Sequence, residues 1–263
     1  MNFSKIIFLS IAFTFVLISF SVGKAFATDQ VLITKSGSMD QIIFDGKWTF
    51  YTEWKYSSLN ELSYQDGTTF ELRTAHQGNF IYVFIDDVKT THWNANGDRA
   101  IVCLDKYNNK NTTATSDDYC FVNILSGNNP VTLQGGSPLS STDNFKRIPN
   151  PDGFIAVAAI SDQNDRYTVI PHPSYEFKIP TDLVGRSADY GFYVGVYHAA
   201  SNTVYSWPKN ITTNVPLEIP SSSKWGELVS PDASLPEFQW PMLPLLLAIM
   251  TAIWFTQRKQ SLR

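Results

Sequence analysis

The stretch from Asn79 to Leu125 constrains the fold of this chain more than any other part. It opens with a segment, Asn79 to Asp86, in which both alternating sets of side chains are apolar. One set holds Phe80, Tyr82 and Phe84, and the other holds Ile81, Val83 and Ile85. Because successive side chains of a strand point to opposite faces, this pattern predicts a strand that is covered on both faces, near the middle of a packed sheet.

Further short strands are predicted along the chain, separated by Gly, Asn, Asp and Pro turn residues at intervals of about ten residues. Their ranges are 31–34, 41–44, 48–54, 68–74, 79–86, 98–105, 119–125, 154–161, 166–170, 174–179, 190–198 and 203–207. This spacing predicts an all-β fold, an antiparallel β-sandwich of the jelly-roll or immunoglobulin-like kind. Residues 127–152 are rich in Gly, Ser, Asn and Pro, and we expect them to form a surface loop.

Several segments, taken in order, resemble one known family. IYVFIDD, GDRAIVCLD and DDYCFVNILSGN follow one another, with a Trp-containing loop after the first. Asp45-Gly46 and Glu53-Trp54 precede them, and YEFKIPTDL follows. From about Phe44 to Ser206 the chain thus resembles the family 9 carbohydrate-binding modules (CBM9), part of the wider DOMON-like group of β-sandwiches. The resemblance implies one domain, residues 28–218, that binds a glycan or polysaccharide without catalysis.

The resemblance also indicates where a sugar would bind, since the family holds it between aromatic rings near loop ends of the sandwich. A sugar ring offers an apolar C–H face to an aromatic side chain and hydroxyl groups to flanking amides and charges. The candidate ligand-binding residues are Trp93, Asn94, Arg99 and Trp207. Trp48 and Trp54 are interpreted as core residues.

Four acidic residues stand at predicted strand ends, and members of the resembling family carry structural calcium. Hard cations prefer several carboxylate and carbonyl oxygens. The candidate calcium ligands are Asp86, Asp87, Asp98 and Asp105, with ordinary solvated strand ends as the alternative.

Two other functions stay open. A DOMON-like haem-binding electron-transfer domain needs a histidine with a second axial ligand. Between the predicted signal peptide and the C-terminal segment the chain has one methionine, Met39, so a His–Met pair is disfavoured and a His–His pair is left. A purely structural envelope or adhesion protein is the other alternative.

The two cysteines, Cys103 and Cys120, lie on neighbouring predicted strands. In an exported chain this favours a disulfide, with two buried thiols as the alternative. Glycosylation sequons begin at Asn111 and Asn210 and agree with an extracellular surface.

The N-terminus has the pattern of a secretory signal peptide, residues 1–27. Lys5 precedes an apolar run from Ile6 to Phe20, and Ala25-Phe26-Ala27 supplies a small-residue cleavage pattern. An N-terminal anchoring helix is the alternative, although the run is shorter than the roughly 20 residues of a membrane span.

The C-terminus, residues 235–263, follows a Ser-rich segment, 219–234, that is interpreted as a linker. An apolar run from Trp240 to Phe255 and a basic tail predict a transmembrane helix with the preceding domain outside the cell. Just before it stand Pro236, Glu237 and Phe238. Together these features resemble the archaeal PEF-CTERM sorting signal, which implies processing by an archaeosortase and a cell-surface location. A simple permanent anchor is the alternative.

Composition and motifs narrow the function further. The chain has 20 basic and 24 acidic residues, and this acidic balance argues against nucleic-acid binding. The sequence contains no GxSxG, HExxH, GxGxxG, P-loop or CxxC motif. Its four histidines are scattered without the spacing of metal ligands, so an enzymatic function is not predicted.

Overall fold

A computed structural model describes residues 29–127, 129–137, 144–209, 211 and 218–231. The strands within these ranges are β1 (Gln30–Leu32), β2 (Thr34–Lys35), β3 (Ser58–Ser63), β4 (Thr69–Gln77), β5 (Phe80–Asp86), β6 (Arg99–Asp105), β7 (Asp118–Ile124), β8 (Val131–Gln134), β9 (Lys146–Ile148), β10 (Ile155–Ile160), β11 (Pro173–Pro180), β12 (Asp189–His198), β13 (Thr203–Trp207) and β14 (Gly226–Val229). Short helical turns lie at Met39–Gln41, Thr181–Val184 and Ser222–Lys224.

The strands form two sheets whose facing sides enclose the core, which confirms the predicted all-β sandwich. One sheet has the order β1-β14-β12-β6-β7-β8-β9, and β13 also pairs with β12. The other has the order β10-β11-β5-β4-β2, and β3 also pairs with β4. Pairing is antiparallel except for β1 with β14 and β2 with β4.

No helix in the ranges that the structure describes is long and apolar enough to cross a membrane. The predicted signal peptide (1–27), the sorting segment (235–263) and the sequon residue Asn210 lie outside the described residues.

Strand β5 has both faces buried, as the alternation of its side chains predicts. Its odd-numbered residues, such as Val83, point into the core between the sheets. Tyr82 and Phe84 point outward and are covered by residues 36–57, which fold over this sheet as an outer layer. Trp48 and Trp54 are both buried in that layer, so their interpretation as core residues is confirmed.

The strands predicted at 41–44 and 48–54 are wrong, because the described structure has no strand between Lys35 and Ser58 and these residues form irregular backbone and turns in the outer layer. Their aromatic residues are buried by lying across β4 and β5, not by pairing with them. For example, the Trp54 ring stacks on Phe84 with 5.1 Å between centroids. The strand predicted at 166–170 is also wrong, since that segment belongs to the β10–β11 connection.

The outer face of the other sheet carries a second apolar cluster built around the disulfide. Cys103 and Cys120 are directly paired across β6 and β7, and their sulfurs are joined at 2.03 Å, which confirms the predicted bond. Ile219 and Trp225 pack into this cluster, and β14 follows them. The predicted linker, 219–234, is therefore partly integral to the fold, because its apolar residues complete the sheet despite the Ser-rich composition around them.

Candidate functional site

Trp93 lies on the loop between β5 and β6 at one end of the sandwich, with 37% of its surface exposed. The other described tryptophans, Trp48, Trp54, Trp207 and Trp225, are at most 6% exposed. Within the described ranges, then, Trp93 is the tryptophan whose ring is free to stack on a ligand.

The loop that carries Trp93 is held in place by buried Asp98. Asp98 Oδ2 accepts a hydrogen bond from the Asn94 backbone N–H at 3.0 Å, and Oδ1 accepts one from the Ala199 N–H at 2.7 Å. The Gly97 N–H closes the turn on the Asn94 carbonyl at 2.9 Å. A β-carbon at Gly97 would lie 2.5 Å from the Ala199 side chain, so the two loops are in close contact there. The loop is thus ordered before any ligand arrives.

Polar groups and a cleft surround this part of the surface. Arg99 donates from Nε to the Gly97 carbonyl at 3.1 Å, and its guanidinium lies 5.5 Å from the centre of the Tyr197 ring. Asn94 and His92 are exposed. A cleft of about 340 Å3 is lined by Lys89, Thr90, Thr91, His92, His198, Ala200 and Ser201. We call the exposed surface of loop 89–97 and turn 199–202, with Arg99, the Trp93 face.

Trp207 does not belong to the Trp93 face, although both residues were predicted to bind one ligand. Trp207 is 6% exposed, packs on Phe192 and pairs with Val194 on β12. Val194 is four residues from His198, so about 13 Å of strand separates Trp207 from the cleft beside Trp93. Its exposed edge lines a different cleft of about 480 Å3, together with Asp29, Gln30, Val31, Asn60, Glu61, Leu62 and Lys209.

The four aspartates predicted to bind one calcium ion do not converge. Asp86 and Asp87 point to opposite sides of their sheet, and each pairs with a histidine: His172 Nε2 lies 2.7 Å from Asp86, and His198 Nε2 lies 2.6 Å from Asp87. Asp98 accepts hydrogen bonds from the backbone N–H groups of Asn94 and Ala199.

Asp105 lies at the far end of β6 from Asp98, about 23 Å away at the usual rise per residue. One calcium ion cannot therefore bind all four predicted aspartates.

Asp105 instead joins two acidic residues that are not among the predicted calcium ligands. It is paired with Asp118 across β6 and β7, and with Asp117 these residues place three carboxylate oxygens within 4.8 Å of one another. Asp118 Oδ1 is buried without a hydrogen-bond partner in the described part of the chain. Burial and the negative charges of Asp105 and Asp117 raise the pKa of Asp118 to about 6, although hydrogen bonds from Thr115 lower it. The set consists of oxygen donors only.

The disulfide was a signal that could have located this cluster. If Cys103 pairs with Cys120, antiparallel register places Asp105, two residues after Cys103, opposite Asp118, two residues before Cys120. The calcium ligands were predicted only from their positions at strand ends, without the register that the disulfide sets.

One buried cluster, Ser161, His172 and Asp86, has the order of a catalytic triad. The proton on its histidine, however, lies on the wrong nitrogen for catalysis. Ser161 Oγ lies 2.9 Å from His172 Nδ1, and His172 Nε2 faces Asp86. The Ile170 carbonyl lies 2.8 Å from the same Nδ1. A carbonyl only accepts hydrogen bonds, so Nδ1 carries the proton and cannot take one from Ser161. All three side chains of the apparent triad are also buried.

Burial and charge act in opposite directions on these paired groups. Burial raises the pKa of Asp86 to about 7, although the hydrogen bond from His172 lowers it. Burial lowers the pKa of His172, but the hydrogen bond and negative charge of Asp86 outweigh it and raise the pKa to about 9. Burial also raises the pKa of Asp87 against its hydrogen bond with His198. A haem iron bound by His172 and His198 would have to displace both aspartates.

The solved structures that are similar to this chain include two of a carbohydrate binding module family 9 from Caldicellulosiruptor kristjanssonii. The complex with cellotriose is 14% identical, has a TM-score of 0.46, and the match covers 77% of this chain and 93% of that one. The complex with glucose is 13% identical with the same TM-score, covering 77% and 95%. No protein-family model matches the sequence, and no curated protein matches it.

Proposed function

We propose that this chain is a non-catalytic carbohydrate-binding protein whose ligand stacks on Trp93. The observation that carries the proposal is the exposed indole on a loop that buried Asp98 already orders. An apolar sugar face packs on such a ring, and the hydroxyl groups around it can reach Asn94 and Arg99. Because the loop is ordered in advance, little conformational entropy is lost on binding.

Glycan-array screening of the purified chain, followed by calorimetric titration of the hits, tests this proposal. Cellotriose and glucose, the ligands in the two similar solved structures, are the first soluble probes. The Trp93→Ala variant should weaken binding at least about 10-fold, since a stacked aromatic anchor contributes more than the roughly 1.4 kcal/mol that a tenfold change represents.

The Tyr107→Ala variant is the matched control. Tyr107 is another exposed aromatic residue, 67% accessible, but it follows Asp105 at the opposite end of β6. Its replacement should leave the dissociation constant unchanged. Equal affinity of the wild type and the Trp93 variant would refute the assignment of Trp93 as the stacking residue. No glycan bound by the wild type would refute carbohydrate binding itself and favour a structural envelope protein.

We also propose that the cluster of Asp105, Asp117 and Asp118 binds calcium as a structural ion. All of its donors are oxygens, as Ca²⁺ prefers, and Asp118 Oδ1 is buried without a partner among the described residues. The Lys110 ammonium donates its hydrogen bonds to the carbonyls of Trp225 and Gly226, at 2.6 and 2.8 Å.

We further propose that the protein is exported and anchored at the cell surface through its C-terminal segment. The Cys103–Cys120 disulfide supports an oxidising compartment, and the sequon residue Asn111 is exposed. Intact-mass measurement of the surface form from the native host should show loss of the residues after about Phe238, as an archaeosortase-like enzyme would leave it. Recovery of Arg263 would exclude processing and favour the permanent anchor.

A further inference from the structure

Three side chains meet in a closed space between β5 and the β10–β11 connection. They are Asp86 at the end of β5, Asp165 within the connection and His172 just before β11. One donor atom from each lies within 4.8 Å of the others. His172 Nε2 is 2.7 Å from Asp86 Oδ1 and 3.8 Å from Asp165 Oδ2, and the three side chains are at most 1% exposed.

Two carboxylate oxygens in this space lack hydrogen bonds. Among the residues that the structure describes, neither Asp86 Oδ2 nor Asp165 Oδ2 has a hydrogen-bond partner. Asp165 is aimed by its own loop, because its other oxygen, Oδ1, accepts the N–H groups of Tyr167 at 2.8 Å and Thr168 at 3.2 Å. Buried carboxylate oxygens without a partner are unfavourable, and a cation between them would supply the missing interaction.

The histidine has the outer contact that metal-bound histidines usually have. The Nδ1–H of His172 donates to the Ile170 carbonyl at 2.8 Å, with Ser161 Oγ beside it. This contact fixes the ring and turns Nε2 toward the two carboxylates. A proton on Nε2 would give the histidine one positive charge, which does not balance two carboxylates. It would also supply a hydrogen bond to Asp86 Oδ1 only.

We propose that Asp86, Asp165 and His172 bind a divalent first-row transition-metal ion, of which Zn²⁺ is the probe. Ligand atoms about 2.0–2.1 Å from a tetrahedral Zn²⁺ lie about 3.4 Å apart, between the two distances found here. One imidazole nitrogen with two carboxylates suits this class of ion, whereas Ca²⁺ takes six to eight oxygen ligands. The site would tie the β10–β11 connection to the end of β5, and it does not depend on glycan binding.

The Asp165→Asn variant tests the site with little disturbance of the loop. The amide oxygen retains the hydrogen bonds from Tyr167 and Thr168, while the amide nitrogen replaces the carboxylate oxygen that faces the metal. The control is Asp162→Asn on the same connection. Asp162 Oδ1 likewise accepts a backbone N–H, from Asn164 at 2.9 Å, but its other oxygen pairs with Lys47 at the surface.

The full chain is stripped with chelator, dialysed free of it, and titrated with Zn²⁺ and separately with Ca²⁺. The wild type and Asp162→Asn should bind Zn²⁺ with equal affinity, and Asp165→Asn should bind it at least about 10-fold more weakly, the lower end of what metal-site supports contribute. Equal Zn²⁺ affinity in all three proteins, or no Zn²⁺ bound by the wild type, would overturn the proposal.

A second measurement keeps the proposal testable if Asp165→Asn fails to fold. X-ray absorption at the zinc edge of the loaded wild type should show N/O ligands that include one imidazole. A spectrum with oxygen ligands alone, or Ca²⁺ that Zn²⁺ does not displace from these residues, would overturn it.

Discussion

At the scale of single residues, the fold buries a carboxyl group that its hydrogen bonds do not fully compensate. Glu176 on β11 is inaccessible to solvent and accepts the Trp54 Nε1–H at 2.9 Å and the Gly46 N–H at 2.7 Å. Burial raises the pKa of Glu176 well above its ordinary value, and the two hydrogen bonds only partly oppose this. Glu176 thereby links β11 to the outer layer of residues 36–57.

The direction of this pKa shift predicts a pH dependence of stability. Because the folded-state pKa of Glu176 is raised, its contribution is fully present below the unfolded value of about 4.3 and is lost as the pH rises toward the folded value. Within that window each pH unit should lower the free energy of unfolding by up to about 1.4 kcal/mol.

The variant Glu176→Gln cannot titrate, so its free energy of unfolding should fall less steeply above pH 4.3 than that of the wild type. At pH 5 it should be about 1–3 kcal/mol less stable, because the amide cannot accept both N–H groups. Denaturant titrations at pH 5, 6 and 7 measure both effects. Parallel pH profiles for the two proteins would show that Glu176 is not responsible.

At the scale of elements, the pattern of apolar residues predicts well those strands that have a neighbouring strand on each side within the sheet. β5, β6 and β7 fall within one residue of their predicted ends, since their core residues repeat with period two and turns bound them. Residues 48–54 were predicted as a strand because they are rich in aromatic residues. Aromatic residues are typical of strands, but they are equally typical of an irregular segment that packs over the face of a sheet, as this one does.

The positions and the order of the strands explain which parts of the candidate sites could be predicted from the sequence. Trp93 and Asn94 follow a strongly predicted strand, so their position at a loop end was predictable. His172 and Asp165 come together with Asp86 only because β10 and β11 form a hairpin beside β5. A contact that joins residues 86 and 172 requires the strand order, which periodicity alone does not provide.

At the scale of the whole molecule, β6 separates the two proposed binding sites. Asp98, just before its first residue, supports the Trp93 face, and its last residue, Asp105, belongs to the acidic cluster about 23 Å away. Sites at this distance with no shared residue usually contribute additively to stability and binding. Calcium should therefore act on the stability of the fold and not on the affinity for glycan.

The last prediction tests that separation with Asp118→Asn. The side-chain oxygen of the asparagine can still accept the Thr115 N–H, which Asp118 holds at 2.7 Å, while an amide replaces the unpartnered carboxylate oxygen. After chelator treatment and dialysis, adding Ca²⁺ alone at 100 times its dissociation constant should stabilise the wild type by about 2.7 kcal/mol. The variant should gain much less, because it lacks one negatively charged ligand.

The melting temperature and the glycan dissociation constant are measured on the same samples, and the glycan dissociation constant should not change with Ca²⁺ in either protein. Glycan binding that requires Ca²⁺ would contradict the separation, since it would place the ion at the Trp93 face. Equal Ca²⁺ stabilisation of both proteins would instead remove Asp118 from the calcium site.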